Sequence, residues 1–144
     1  MEPGIQVNML AVLLAVIANF ILGFLWYTPL FGNAWAKEMG FDNTIKPKGG
    51  EIAKGMIFMI IGNFFLAYVF AHNIAAWNFV PGMDQMSTVA KIVSSVVFTW
   101  LGFFLPIDLN SVAWEKRSWK LFGINTGYHF MMLLVASVIL TVMN

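Results

Sequence analysis

Apolar residues are concentrated in four long stretches that are separated by polar connectors. A helix that crosses about 30 Å of hydrocarbon needs about 20 mostly apolar residues. The pattern therefore predicts an all-α integral membrane protein, a four-transmembrane-helix bundle that forms a single domain over residues 1–144. The predicted spans are residues 5–27, 55–77, 89–105 and 121–143. The third is the shortest and contains Lys91, whose long side chain is expected to reach the nearby interface.

The composition excludes an ordinary soluble domain. Hydrophobic residues make up 60% of the chain, charged residues make up 10%, and the mean hydropathy is +0.78. Soluble domains have about 45–50% apolar and about 25% charged residues. The formal net charge of +1 gives no basis for a nucleic-acid partner. Because the chain has no cysteine and only two, widely separated histidines, we expect neither a metal centre nor a cofactor.

The first stretch has two interpretations, a retained span or a cleaved signal peptide. A signal peptide has Lys or Arg before its apolar run and small residues at a cleavage site after it. Here the acidic Glu2 precedes the run, and Trp26, Tyr27 and Pro29 end it. These flanks favour a retained span.

Basic residues predict the orientation of the four spans. Seven lie in the connectors 28–54 and 106–120, whereas the connector between the second and third spans has only Lys91 nearby. By the positive-inside rule, connectors 28–54 and 106–120 are predicted to be cytoplasmic and both termini to lie outside. The seven residues are Lys37, Lys46, Lys48, Lys54, Lys116, Arg117 and Lys120.

Short interfacial helices are predicted in the first and third connectors. In the first, the helix is expected to run from Asn33 to Met39 and to stop at Gly40. In the third, Ser111 is expected to cap a short helix over residues 114–117. Both segments are expected to lie along the lipid headgroups.

Pro106 is expected to end the third span, because proline breaks a continuing helix. Asp108 is then predicted to lie at the cytoplasmic surface, where Arg117 or Lys120 can pair with it. No carboxylate is expected inside the hydrocarbon, since all acidic residues fall in connectors or at span boundaries.

Small residues on the spans predict close contact between helices, because lipid gives apolar helices no hydrophobic reason to associate. In the first span they recur every four residues and form one ridge, and the fourth span contains a GxxxG pair. The predicted packing residues are Ala11, Ala15, Gly62, Gly102, Gly123 and Gly127.

Each span carries one hydrogen-bonding side chain at a similar depth. A rise of about 1.5 Å per residue places Asn19, Asn63, Thr99 and His129 about 10–13 Å from the predicted cytoplasmic boundary. Asn125 lies one turn from His129 on the same face. The sequence predicts a polar layer, which either holds the helices in register or lines a solute or proton path.

Enzyme signatures such as HExxH, the P-loop and GxSxG are missing from the sequence, so no catalytic residue is assigned. One catalytic alternative is an intramembrane dyad of Ser95 and His129. We expect the protein not to be an enzyme, because the sequence shows no oxyanion hole for such a dyad.

Two segments resemble the DUF1761 family of small bacterial membrane proteins of unknown function. The first runs from Asn19 through GFLWYTPLFGNAW to Gly40, and the second comprises EKR and LFGINTGYH near the last span. The resemblance implies a four-helix protein of the bacterial cytoplasmic membrane. The first segment also describes an interfacial elbow at which a helix leaves the bilayer. The elbow residues are Gly23, Trp26, Tyr27, Pro29, Gly32 and Trp35.

The leading functional hypothesis is a homo-oligomeric transporter or channel for a small polar or ionic solute. Four short helices enclose little lumen, so the path is expected to be completed by oligomerisation. The first alternative is a non-catalytic accessory subunit of a larger membrane complex, and the second is an intramembrane enzyme. The expected partners are the lipid bilayer and either further copies or a larger complex.

Overall fold

The structure is a computed structural model and describes residues 4–42 and 44–144. Glu2, which the sequence places before the first span, lies outside this part. Residues 4–42 and 44–144 contain no strand. Their α-helices are α1 (Met9–Leu25), α2 (Gly32–Met39), α3 (Gly49–Trp77), α4 (Thr88–Thr99), α5 (Leu105–Ala113) and α6 (Trp119–Val142). Two π-helical turns, Trp26–Leu30 and Trp100–Phe104, extend α1 and join α4 to α5.

Four continuous helical segments are long and apolar enough to cross a membrane, which confirms the predicted all-α architecture. They are Met9–Leu30, Gly49–Trp77, Thr88–Ala113 and Trp119–Val142. The first and third segments extend beyond the predicted ends at residues 27 and 105. The first extension lies in a π-helical turn that contains Pro29, and the third follows a π-helical turn and contains Pro106.

Side-chain caps fix where several helices begin. The Asn8 side-chain oxygen accepts hydrogen bonds from the backbone N–H groups of Leu10 and Ala11, and so begins α1. Ser87 caps α4 and Ser118 caps α6 in the same way. Such caps satisfy backbone donors that have no partner inside the helix. The Asn8 amide also donates to the carbonyl oxygen of Met143 at 2.9 Å, which ties the start of α1 to the end of α6.

Helix α6 is the centre of the bundle. It packs against α1, α4, α5 and α3, and α3 also packs against α1. Small residues on α1 and α3 allow this close approach, because the small side chains bring the helix backbones together. The buried core consists mainly of Ala11, Val12, Ala15, Val16, Ala67, Phe70, Ala71, Ile74, Val96, Leu133, Ala136 and Leu140.

The first helix does not stop at Tyr27 as predicted, but continues as a π-helical turn through Pro29 to Leu30. The Phe31 N–H closes this turn by donating to the carbonyl oxygen of Trp26 at 2.8 Å. The helix predicted in the first connector is confirmed as α2, which begins one residue early at Gly32. It ends at Gly40, whose φ of 74° is the left-handed conformation that glycine adopts most easily.

Pro106 does not end the third span, contrary to the prediction. Proline has no N–H and is tolerated in the first turn of a helix, where that group needs no helical partner. The π-helical turn Trp100–Phe104 ends directly before α5, and Pro106 occupies the first turn of α5. The helical segment therefore continues to Ala113, eight residues beyond the predicted end of the span.

The third connector has no separate interfacial helix, contrary to the prediction. Ser111 lies inside α5 and its hydroxyl donates to the carbonyl oxygen of Asp108 at 2.6 Å, so it does not cap a new helix. Residues 114–118 form a short non-helical connection. Arg117 pairs there with Glu115 at 3.6 Å and not with Asp108. The prediction was wrong because residues 106–113, which were expected to separate the third span from a short interfacial helix, belong to α5.

Candidate polar site between the third and fourth spans

An acidic and a basic side chain meet between α5 and α6. Oδ2 of Asp108 lies 2.8 Å from Nδ1 of His129. Asp108 is only 7% exposed, although the sequence predicted it at the surface beside Arg117 or Lys120. The expectation that no carboxylate lies within the spans was also wrong. Both errors have one cause, since the helix continues past Pro106 and carries Asp108 onto the face that meets α6.

Burial makes this pair chemically significant. An ionised carboxylate that leaves water is strongly disfavoured unless a partner compensates its charge and hydrogen bonding. The imidazole of His129 provides that partner, because its Nδ1 atom lies within hydrogen-bond distance of the Asp108 carboxylate. The rings of Phe104 and Tyr128 flank the imidazole, with ring centroids 5.0 and 5.8 Å from it. The side chain of His129 keeps 26% of its surface exposed, so the pair is not sealed inside the protein.

Asn125 receives a hydrogen bond from the end of the first span. The Tyr27 hydroxyl donates to Oδ1 of Asn125 at 2.9 Å. One residue earlier on each helix, the indole N–H of Trp26 donates to the carbonyl oxygen of Ile124 at 3.0 Å. Both bonds tie the π-helical turn of the first span to α6, within two turns of His129.

Asn63 is brought to the same region by α3. Its side chain lies near the Tyr128 hydroxyl. Gly23 of α1 makes room for this hydroxyl, since a Cβ atom at Gly23 would lie 3.0 Å from it. The rings of Tyr27 and Tyr128 are in edge contact, with centroids 5.1 Å apart. The two tyrosines therefore join the Asn63 side of the region to the Asn125 side.

We call this group of side chains the polar cluster. It contains three of the five residues predicted for the polar layer and three that the sequence reasoning did not assign to it. The polar cluster consists of Asn63, Asn125, His129, Tyr27, Tyr128 and Asp108.

Asn19 and Thr99 are not hydrogen-bonded into the polar cluster. Asn19 is completely buried one turn from Gly23, and neither polar atom of its side chain has a hydrogen-bond partner among the described residues. Thr99 lies at the end of α4 and lines a separate cleft between α3 and α4. The predicted layer thus divides into a connected cluster and two outlying residues.

The predicted elbow forms an aromatic cluster around α2. The ring of Tyr27 contacts that of Trp35 at 5.6 Å between centroids, and Trp26 contacts Phe31 at 4.6 Å. At Gly32, a Cβ atom would lie 2.7 Å from the backbone oxygen of Tyr27, so the tight turn after Pro29 requires glycine. The elbow therefore also positions Tyr27 for its bond to Asn125.

The predicted packing residues fall into two groups. Ala11 and Ala15 are buried in the core, and a Cβ atom at Gly127 would lie 3.3 Å from the indole of Trp26. The other three face outward, because a Cβ atom on any of them would have no atom of the described residues within 4 Å; they are Gly62, Gly102 and Gly123. A packing role for these three stays a prediction that concerns contact with another chain.

The dyad of Ser95 and His129 is not formed. The Ser95 hydroxyl lies 2.7 Å from that of Ser137, while His129 bonds to Asp108. Residues 4–42 and 44–144 contain no group of three His, Cys, Asp or Glu side chains that could hold a metal ion.

Comparison with known proteins identifies the family of the chain. A protein-family model described as "Protein of unknown function (DUF1761)" matches residues 10–141. The chain belongs to the DUF1761 family. The match includes all four spans except their outermost residues Met9 and Val142, as well as every member of the polar cluster, and it confirms the resemblance to this family. Neither the curated proteins nor the solved structures show a significant match to this DUF1761 protein.

Proposed function

We propose that this DUF1761 protein translocates protons across the membrane, as a transporter or channel in which the Asp108–His129 pair carries the proton. The hydrogen bond between these two residues is the observation that supports the proposal most directly. Ionisable residues within membrane spans are energetically unfavourable and mark ion pathways and proton relays. A buried ion pair seldom stabilises a protein more than apolar residues of the same size, so stability alone gives little reason for the pair.

A proton suits this bundle better than a larger solute does. Helix α6 packs against the other three spans, and a bundle of four helices encloses little lumen for a hydrated ion. A proton needs only groups that can accept and donate it in turn, and carboxylate, imidazole and phenol groups do both. The cluster supplies these groups in Asp108, His129, Tyr27 and Tyr128.

The site also offers two sides from which a proton can arrive. Tyr27 and Asn125 approach His129 from the end of the bundle that carries α2. Phe104 contacts the His129 ring and also lines the cleft between α3 and α4. We infer that the Phe104 ring controls the access of protons to His129 from the cleft.

The experiment is proton flux into liposomes that contain the purified protein and a trapped pH-sensitive dye. A potassium gradient with valinomycin drives proton entry. We expect the wild type to acidify the lumen, and Asp108→Asn to reduce the rate at least about tenfold. Asp84→Asn is the matched control, because Asp84 lies in an exposed turn between α3 and α4. A wild-type rate equal to that of protein-free liposomes contradicts the proposal.

Assembly with other chains is the second part of the proposal, as a homo-oligomer or as an accessory subunit of a larger membrane complex. It is supported by the outward-facing Gly62, Gly102 and Gly123, since such glycines allow close contact with another helix. Light scattering of the protein in lipid nanodiscs tests this part. A monomeric mass in nanodiscs argues against a homo-oligomer if the same protein also conducts protons after reconstitution into liposomes.

A further inference from the structure

A cleft lies between α3 and α4. Both helices pack toward α6, yet they make little contact with each other. The space between them has a volume of about 640 Å³, and Leu133 of α6 forms part of its lining. Binding sites for small molecules have volumes of about 300–1,000 Å³, so the cleft is large enough for a ligand.

The walls of the cleft are mainly apolar over most of its length. Phe70, Ile74 and Trp77 line it from α3, and Phe98 and Phe104 line it from the opposite side. The cleft opens sideways, since Phe98 is 75% exposed at its edge. In a bilayer, such an opening admits a molecule from the hydrocarbon.

The end of the cleft near the connector between α3 and α4 is polar. Lys91 lies one turn into α4, and its Nζ atom is 3.4 Å from Oδ1 of Asn78. Asn73 also lines this part of the cleft. No carboxylate among residues 4–42 and 44–144 lies within ion-pair distance of Lys91. The cleft therefore combines a long apolar wall with one positive charge that has no acidic partner.

We propose that this cleft binds a single-chain amphiphile with a monocarboxylate head group, such as a long-chain fatty acid. The head group pairs with Lys91 and accepts a hydrogen bond from Asn78 or Asn73, while the chain lies along the apolar wall toward Phe104. One lysine balances one negative charge. A phosphate monoester carries up to two charges and is better matched by the paired donors of arginine, and the cleft contains no arginine.

Binding at this cleft does not depend on proton translocation. The head group is held by Lys91 of α4 and by Asn73 and Asn78 near the end of α3, whereas His129 lies on the other side of the Phe104 ring from the cleft. A protein that binds the amphiphile but moves no proton refutes only the proposed function. A protein that moves protons but does not bind the amphiphile refutes only the present inference.

The test is photolabelling of the full-length protein in phosphatidylcholine nanodiscs with a diazirine derivative of palmitate. Labelled positions are located by peptide mass spectrometry. We expect labelling on the cleft residues of α3 and α4, and competition by palmitate that is at least about tenfold stronger than by hexadecanol or hexadecyltrimethylammonium. Because these competitors share one chain length, a difference between them reports the head group.

Variants of the lysine separate charge recognition from general lipid contact. Lys91→Gln is expected to remove the preference for palmitate over hexadecanol, and Lys91→Arg is expected to keep it. Lys54→Gln is the matched control, because Lys54 lies toward the opposite end of α3, over the ring of Phe58. Filling the cleft with Ile74→Trp is expected to reduce labelling by palmitate, provided that circular dichroism shows an unchanged helix content.

Three results overturn the inference. The first is labelling spread evenly over the lipid-facing surface of α1 and α6. The second is equal competition by palmitate and hexadecanol in the wild type, which shows that the head group is not recognised. The third is stronger competition by phosphatidylglycerol or a lysophosphatidate than by palmitate, which assigns the cleft to a phosphate-bearing lipid.

Discussion

The Tyr27 hydroxyl donates a 2.9 Å hydrogen bond to the Asn125 side chain, although the two residues are 98 positions apart. The bond connects the elbow at the end of the first span to α6, one turn from His129. Asn125 therefore has its hydrogen-bond partner on the first span. This arrangement positions the elbow against the polar cluster.

Removing this hydroxyl tests its contribution to stability. Tyr27→Phe is expected to lower the free energy of unfolding by about 0.6 kcal/mol, the average for hydrogen bonds between membrane helices. Unfolding in mixed micelles with increasing dodecyl sulfate gives the measurement. Tyr68→Phe is the control, since Tyr68 is 39% exposed on α3. Equal losses in both variants contradict an interhelical bond at Tyr27.

A double-mutant cycle tests the energetic coupling of Asp108 and His129. Asp108→Ala and His129→Ala are each expected to lower the unfolding free energy by about 1–3 kcal/mol, because each leaves a partly buried polar partner unpaired. The double variant is expected to lose less than the sum, since it leaves no unpaired partner. Additive losses show that the pair does not interact in the membrane-embedded protein. Asp108→Asn, which retains a hydrogen-bonding oxygen, is expected to lose less than Asp108→Ala.

Replacing Asn19 distinguishes a structural from a functional role for this buried amide. Its polar atoms have no partner among the described residues, and an unsatisfied buried group is unfavourable by about 1–3 kcal/mol. Asn19→Leu is therefore expected to raise the unfolding free energy by about 1 kcal/mol. Asn63→Leu is the matched control and is expected to lower it, because Asn63 lies against the Tyr128 hydroxyl. Reduced proton flux in a stabilised Asn19→Leu protein indicates that the amide serves the path.

Two glycines on the spans are expected to respond oppositely to alanine. A Cβ atom at Gly23 would meet the Met59 methyl group and lie 3.0 Å from the Tyr128 hydroxyl. Gly23→Ala is therefore expected to lower the unfolding free energy by about 1 kcal/mol. At Gly62 a Cβ atom would have no atom of the described residues within 4 Å, and Gly62→Ala is expected to raise the unfolding free energy by up to about 1 kcal/mol through helix propensity. If Gly62→Ala is destabilising instead, Gly62 packs against another chain.

Shortening the π-helical turn before Pro106 tests whether this turn directs the Asp108 side chain toward His129. Each residue of an α-helix turns the chain by about 100°. Deleting the outward-facing Gly102 is expected to rotate Asp108 away from His129, and so to slow proton flux as much as Asp108→Asn does. Gly102→Ala is the control, because it keeps the number of residues and its Cβ atom would have no atom of residues 4–42 and 44–144 within 4 Å. Full proton flux after the deletion contradicts a dependence on the turn.

The fold followed from the sequence because its signals are local. Four long apolar stretches predict four spanning helices, and the left-handed conformation of Gly40 ends α2 where a glycine C-cap is expected. The predicted end of the third span was wrong because a proline such as Pro106 can have either of two effects on a helix. It breaks a regular helix, but it is accepted in the first turn after a π-helical turn, and local sequence does not reveal that turn.

The site was only partly predictable for the same reason. Depth along each span identified Asn63 and His129, and helical spacing added Asn125, but depth gives no information on which direction a side chain faces around the bundle. Asp108 was missed because the third span was ended too early. One signal was available, since Ile107, Leu109 and Val112 continue the apolar pattern on both sides of Asp108. Tyr27 was assigned to the interface, although its hydroxyl bonds to Asn125 in the cluster, and Tyr128 was not assigned to any site.

The π-helical turn at Trp100–Phe104 has an evolutionary consequence. The direction in which the Asp108 carboxylate points depends on the number of residues in this turn, and not only on the identity of residue 108. Insertion or deletion of one residue in this turn rotates the Asp108 side chain relative to His129, while the remaining residues of the chain are unchanged. Relatives of this chain can therefore gain or lose the acid–imidazole contact in one genetic step, with no substitution at either residue.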